Sequence, residues 1–404
     1  MRPGQLARVA FHAPFALAAL AAYGLLVAPL SRLRAARRRR RGERPAILWG
    51  PVPIANLRNA VRADRLYGYR SESVVYRTFH PADRDAFDLV ATLPMPILRQ
   101  LVPYAVFLWA GLRFDVFCFY FDGGLLGETP FWRAELPLLK LAGRRIVVWP
   151  YGGDARLPSR TRAALGRWNA YTDVAPGQED RDESEVRARL EAFGRRADVV
   201  LGCADLVDDL PRLDGVLPYP FDSSDWGPVE APDDGMVRVV HAPNHPQYKG
   251  TRYLVDAVER LCSEGLPVEL VLVQGVPNAE ARRIYARADI VADQFLIGAY
   301  ALFAIEGMAL GKPVLCYLNE RFARHHPEWR ECPIVSATPD TLADELRRLV
   351  TDAGLRRDLG RRGPWYVRRY HSLEAVGAQL DDIYRRLWTL PPRTAARDTI
   401  SDRA

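Results

Sequence analysis

Residues 293–318 read DQFLIGAYALFAIEGMALGKPVLCYL, and the reading of this stretch decides the fold. Its pattern predicts a loop, a short apolar helix, a turn at Gly311-Lys312-Pro313 and a buried strand. Glu306 is the only acid within that helix. Burying a carboxylate without a partner is costly. Glu306 therefore belongs either to a salt bridge or exposed helix face, or to the mouth of a ligand cleft.

The same alternation of short apolar runs and amphipathic stretches extends in both directions. Upstream, strands are expected at Val237–Ala242, Val268–Val273 and Asp289–Ala292, with helices at Thr251–Ser263 and Asn278–Ala286. Helices near Thr341–Thr351 and Leu373–Leu387 follow. Before the Pro-, Gly- and Asp-rich stretch Leu213–Gly235, strands are expected at Ala46–Trp49, Ser73–Phe79, Phe114–Phe121, Arg145–Trp149 and Ala197–Leu201. Helices fit Ile97–Leu112 and Glu135–Ala142. Short strands separated by helices imply parallel sheets covered on both faces, and 404 residues allow two such domains joined by one linker.

The net charge of +7 is a local property. Residues 1–44 hold ten arginines and one acid, whereas the other 360 residues carry 46 basic and 48 acidic groups. Neither a general polyanion-binding surface nor a nucleic-acid partner is expected. Val9–Leu30 has no formally charged residue and is long enough to cross a bilayer. Arg37–Arg41 follow it, where a cleavable signal would carry its charge first. The expectation is a retained single-pass anchor in the cell inner membrane with the rest of the chain cytoplasmic; a signal peptide or an interfacial helix is the alternative. The five cysteines lack C-x-x-C spacing and read as buried small hydrophobes. His325 and His326 are adjacent, so their side chains diverge, and no metal site is expected.

Glu306-Gly307-Met308-Ala309-Leu310-Gly311-Lys312-Pro313-Val314 resembles the second half of the Glu-x7-Glu signature of family 4-like, retaining GT-B glycosyltransferases (glycosyl transferases group 1). The first half departs: Gly298 stands where the family has Glu, and Tyr300-Ala301 where it has Phe-Gly. The resemblance implies an α/β GT-B fold, with two Rossmann-like domains facing across a cleft, preceded here by an N-terminal membrane helix. The boundaries it suggests are a transmembrane anchor (1–31), a basic juxtamembrane segment (32–44), an acceptor domain (45–215), a linker (216–236), a donor domain (237–363), a closing helix (364–388) and a disordered tail (389–404). It implies hexosyl transfer from a nucleotide diphosphate sugar to a saccharide or lipid-linked acceptor in cell-surface polysaccharide or glycolipid synthesis. No cofactor and no metal are expected, the nucleotide sugar being a substrate. The departures leave a second reading open, a catalytically inactive GT-B scaffold that binds nucleotide sugar or partners another membrane glycosyltransferase.

Site residues follow by position. Lys249, on a loop leading into a helix, either meets a phosphate or is merely solvated; it matches the lysine of the family's Arg…Lys-Gly pair. The arginine is absent, and His245 is offered in its place, as ligand or as structural residue. Glu306 would accept from ribose hydroxyls. Gly298 leaves backbone only near the sugar, while Asp293 either reaches in or simply ends its strand. Tyr300 lies at the helix start that faces the diphosphate. After the strand ending at Trp149, Tyr151-Gly152-Gly153-Asp154-Ala155-Arg156 is a turn where parallel sheets place ligands; Asp154 and Arg156 either contact substrate or pair with each other. Gly50, in Trp49-Gly50-Pro51, either opens a backbone approach to the donor or is an ordinary turn.

Overall fold

Strands of two to six residues, many rich in Val, Ile and Phe, are too short to stand alone, and in this protein they pair in parallel into two sheets. The computed structural model describes residues 3–78 and 81–390. The first sheet holds β1 (Ala46–Trp49), β2 (Arg70–Val75), β3 (Leu89–Val90), β4 (Val116–Phe119), β5 (Arg145–Val148), β6 (Val199–Gly202) and β7 (Gly215–Val216), in the order β3-β2-β1-β4-β5-β6-β7. The second holds β8 (Val237–His241), β9 (Val268–Leu272), β10 (Ile290–Ala292), β11 (Val314–Leu315) and β12 (Ile334–Val335), in the order β12-β11-β10-β8-β9. Every pairing is parallel. In each sheet the strand order reverses once, between β1 and β4 and between β8 and β10. Such reversal points leave a crevice beyond the carboxyl ends of the strands.

Several expectations shift. The strand expected at Ser73–Phe79 is Arg70–Val75; Phe79 lies outside the described residues. The single helix at Ile97–Leu112 is two, Pro96–Arg99 and Val102–Arg113, because Pro103 cannot donate within a helix and instead opens the second one. The stretch read as linker begins with β7, an edge strand of the first sheet. Among the helices of eight or more residues, Ala55–Leu66, Pro158–Leu165, Glu183–Arg196 and Ala353–Tyr370 went unread. The expected tail from 389 has Thr389 in the left-handed C-cap of the last helix, and residues 391–404 lie outside the described residues.

The last helix, Leu373–Trp388, returns to the first domain and packs on Ala55–Leu66. Tyr69 donates to Asp381 (2.6 Å), Tyr67 to the Glu374 carbonyl (2.9 Å) and the Trp388 indole to the Glu43 carbonyl (3.0 Å). Asp64 is buried at this junction, accepting from Trp49 and Ser71 (both 2.8 Å). The domains also meet through the segment 166–182. Trp168 donates to Asp340 (2.6 Å), and Asp173 accepts from Arg252 and Tyr253 (2.5 and 3.0 Å).

The N-terminal apolar run is one helical rod, Pro3–Ala22 and Ala28–Arg40 joined by a π-turn at Tyr23–Val27. The part from Gly4 to Arg40 is long and apolar enough to cross a membrane. It is not free-standing. His12, Ala16, Ala19, Tyr23, Val27, Ser31 and Ala35 form a buried stripe. Residues spaced by four drift around a 3.6-residue helix, and the wider π-turn resets the stripe onto one face. That face lies on Val102–Arg113. Tyr23 stacks on Phe107 at 4.2 Å, Ser31 donates to the Gly111 carbonyl (2.7 Å), and His12 sits 3.2 Å from the Tyr104 hydroxyl. Only glycine fits at position 111, because a Cβ there would collide with the Tyr23 ring.

Candidate functional site

At the β8/β10 reversal of the second sheet, three side chains converge from the connections that follow β8 and β10. After β8 the chain makes one helical turn, Pro246–Lys249, and Gly250 takes a left-handed φ of 75° before the helix Thr251–Ser263. This aims Lys249 at Asp293, the residue after β10, with Nζ to Oδ1 at 2.9 Å. Asp293 is fully buried, and its other oxygen accepts from the Ala301 amide (2.9 Å) at the start of the helix Leu302–Ala309. Glu306, one turn into that helix, is half-buried and has no hydrogen bond or ion pair among the described residues. Burial, reinforced by the Asp293 charge and opposed by Lys249, pushes its carboxyl up to about 7. His241 at the end of β8 is buried between the Ala292 carbonyl (Nδ1, 2.7 Å) and the Thr251 hydroxyl (Nε2, 2.8 Å). Burial pushes its pKa down to about 4. The carbonyl requires a proton on Nδ1, so Nε2 accepts and the ring is a neutral strut.

The other residues expected here are placed differently. His245 is exposed and stands 3.9 Å from Asp180 of the first domain. The Asp180 amide also donates to the Tyr248 hydroxyl (3.3 Å). Tyr300 is buried and turned away from Lys249: its hydroxyl bonds Tyr366 (3.0 Å) and the His371 ring (2.9 Å), and its ring lies on Trp329. It joins the second domain to the start of the closing helix, where an aromatic ring with a satisfied hydroxyl fills a buried corner. Tyr300 is therefore a packing residue and not a substrate ligand. Asp293 is the floor that holds Lys249, not a group reaching into the crevice. Gly298 is more than a missing carboxylate. Its φ is +86°, and a Cβ there would lie 2.9 Å from Asn319 Cβ, with Phe322 and Tyr317 beyond. Gly298→Glu therefore does not rebuild the family's first Glu. The expected result is a loss of about 2 kcal/mol or more of stability in a thermal melt, with no gain in turnover.

In the first domain, a cleft of about 1030 Å³ opens beyond β1 and β4. It is lined by Pro51, Val52, Asp122, Gly123, Tyr151 and Arg181 among others, and by Gln5, Arg8 and Val9 of the N-terminal helix. Lys249 and Glu306 do not line it; Asp180 does, and touches the second domain as above. Asp122 pairs with Arg181 (Nη2, 3.0 Å), accepts from the Tyr151 hydroxyl, and that hydroxyl also accepts from Arg181 (3.0 Å). Burial and the charges of Asp154 and Asp122 push the Tyr151 phenol well above its ordinary range, so it stays a neutral donor.

Asp154 also lines this cleft, but its oxygens are taken up by the turn. It is buried, taking the amides of Tyr151 and Gly152 (both 2.9 Å) on one oxygen and of Phe121 (3.1 Å) on the other. Burial and then the Asp122 charge push it up to about 7. Arg156 does not pair with Asp154; it forks onto Asp205 (2.8 and 2.7 Å). Gly152 has open space at its Cβ position, and Gly153 faces Arg181. Gly50 is buried against Val74, where a Cβ would collide with the Val74 carbonyl, so it serves sheet packing and not a donor approach. Sequence reasoning missed Asp122 and Arg181. Asp122-Gly123-Gly124 after the β4 run was a legible signal of the same kind as Gly152-Gly153-Asp154; Arg181, 59 residues away, carried none.

No family model matches the chain. A stretch of 137 residues, 32% of this chain and 32% of the relative, is 31% identical to D-inositol 3-phosphate glycosyltransferase of Corynebacterium urealyticum. That match spans about a third of the relative's length. Sucrose-phosphate synthase from Thermosynechococcus elongatus superposes with a TM-score of 0.59 at 17% identity, covering 86% of this chain and 100% of that one. HepE of Anabaena, solved in complex with UDP-glucose, superposes at 0.56 and 14% identity, covering 85% and 100%. Two parallel sheets with these neighbours establish the GT-B fold.

Proposed function

We propose that the protein is a glycosyltransferase that takes a sugar from a nucleotide diphosphate sugar and passes it to a saccharide or lipid-linked acceptor in cell-surface polysaccharide or glycolipid synthesis. The observation that carries this reading is Glu306, an unpaired half-buried carboxylate beside the Lys249–Asp293 pair at the β8/β10 crevice. Two carboxylate oxygens suit the vicinal diol of a ribose. An ammonium has three N–H donors and Asp293 takes one, which leaves Lys249 able to meet a diphosphate. Transfer then needs stabilisation of the departing diphosphate, and Lys249 supplies it without a metal ion. The acceptor occupies the first-domain cleft, where the Asp122–Tyr151–Arg181 cluster presents both signs of charge, and transfer retains anomeric configuration. The GT-B neighbours and the inositol-phosphate glycosyltransferase segment support a nucleotide-sugar donor. Association with the membrane through the N-terminal helix, with the rest of the chain cytoplasmic, is part of the proposal.

The test is turnover of UDP-glucose and other nucleotide sugars by the full chain with lipid extracts as acceptor source. Release of the nucleoside diphosphate dependent on the extract supports the reading. Binding without release under every donor and acceptor favours the inactive scaffold, which the filled Cβ position at Gly298 specifically supports. Glu306 gives a separate readout. With its carboxyl near 7, the ionised fraction rises roughly tenfold from pH 6 to pH 8. UDP-glucose does not titrate in that window, so its affinity by calorimetry is expected to rise several-fold, and the rise to vanish in Glu306→Gln. An unchanged pH profile in that variant removes Glu306 from the ribose site.

A further inference from the structure

The side of the N-terminal rod opposite its buried stripe is as apolar as the stripe itself. Leu6, Phe15, Leu17, Leu25, Leu26, Leu30 and Leu33 are exposed, Leu25 by 77% and Leu17 by 68%. A helix that packs one face on a soluble domain ordinarily turns charge outward on the other. Here no charged residue occurs from Val9 to Leu30, so this outer face has no ordinary solvent partner. It does not stand alone. Gln100 lies against His12, and the turn before it exposes Leu93, Met95, Ile97 and Leu98. An exposed apolar surface built from two elements marks an interaction site.

Charge identifies what covers it. Leu30, Leu33, Arg37 and Arg40 recur at helical spacing, which puts them on one face, away from buried Ser31 and Ala35. Arg32, Arg37 and Arg40 are exposed and make no ion pair among the described residues. An apolar face that runs into unpaired arginines matches acyl chains beneath anionic headgroups. The buried stripe decides how the helix meets them. It runs from His12 to Ala35 and is closed along its length by Val102–Arg113, by the Gly111 contact and by the Arg34 bond to the Leu112 carbonyl (3.2 Å). A helix crossing a bilayer would have to leave this seat, exposing Tyr23, Phe107 and the Ser31 hydrogen bond, or drag the first sheet into the hydrocarbon. Neither is tolerable.

We infer that the helix lies in the headgroup plane of an anionic phospholipid bilayer, one face in the acyl region and the other on the first domain, with both ends on the same side of the membrane. This rests on the membrane association proposed above and replaces crossing with docking. Because Gln5, Arg8 and Val9 line the first-domain cleft, the cleft then opens at the level of the headgroups.

The test places single cysteines at the two ends of the rod, Gly4→Cys and Ala36→Cys, in full-length protein with the exposed Cys262 changed to Ser. A membrane-impermeant maleimide is applied to cytoplasm-out vesicles from expressing cells. Labelling of both positions is the expected result. Labelling of position 36 with position 4 reached only from the opposite side overturns the inference and leaves the membrane reading standing. Recovery of the protein in the soluble fraction overturns both. In parallel, purified protein is floated with phosphatidylcholine vesicles with and without phosphatidylglycerol. Binding is expected only, or mainly, with the anionic lipid. Leu17→Asp/Leu25→Asp/Leu26→Asp is expected to lower the bound fraction about tenfold or more, with an unchanged thermal melt. Cross-linking of Leu25→Cys into dimers in solution, with no vesicle binding, would mean that a second copy covers the face, and the inference falls.

Discussion

Lys249→Ala is expected to lower turnover by about 100- to 1000-fold and, at the same time, to destabilise the second domain. The two effects have different origins. The first is loss of the cation that meets the leaving diphosphate. The second follows from the setting of Asp293, fully buried with Lys249 at 2.9 Å and the Ala301 amide at 2.9 Å as its partners. Removing one member of a buried pair leaves an uncompensated charge, at a cost of about 3 kcal/mol or more. An inactive Lys249→Ala protein therefore says little unless its melt is measured. Lys249→Ala/Asp293→Asn separates the contributions. An asparagine keeps the bond from Ala301 and carries no charge, so stability is expected to return while activity stays lost. Turnover near the wild-type rate in that folded double variant would overturn the assignment of Lys249.

Asp154→Ala is expected to produce the largest fall in stability of any single change at the first-domain turn. Three buried amides, of Phe121, Tyr151 and Gly152, lose their acceptor. Each unsatisfied donor costs about 1–3 kcal/mol, so a loss of about 3 kcal/mol or more is expected in a denaturant titration. Asp154→Asn rescues it only in part: its oxygen still accepts from Tyr151 and Gly152, while its amide nitrogen turns a donor toward the Phe121 amide. Tyr151→Phe, by contrast, leaves the turn intact and changes only the hydroxyl shared with Asp122 and Arg181. A wild-type melt for Asp154→Ala, with activity alone lost, would return Asp154 to the catalytic list.

What the sequence made legible was local. The helix and strand flanking Gly311-Lys312-Pro313 follow from periodicity and turn residues, and the helices Thr251–Ser263 and Asn278–Ala286 match their expected spans. The helix Glu183–Arg196 also had a readable start, Asp182 as N-cap with Glu185 three residues on. Strand order was not readable, since the reversal points depend on pairings between distant runs. Side-chain roles failed for the same reason. Arg156 finds Asp205, and Tyr300 finds Tyr366 and His371, partners set by tertiary packing. Lys249 and Glu306 came through because their loops leave the same reversal point, a place where family resemblance and sheet geometry agree.

The return of Leu373–Trp388 to the first domain has a consequence for the order of synthesis. Tyr69 and its partner Asp381 are 312 residues apart, and Glu43 and Trp388 are 345 apart. While a ribosome is still making the second domain, the first lacks the helix that covers Ala55–Leu66 and the phenol of Tyr384 that reaches buried Asp64 (3.4 Å). Its native form is thus deferred until the helix ending at Trp388 has been made. In that interval the N-terminal rod has already emerged with its outer leucines bare, which makes an early bilayer contact, or a chaperone, the natural guard against aggregation of the nascent chain.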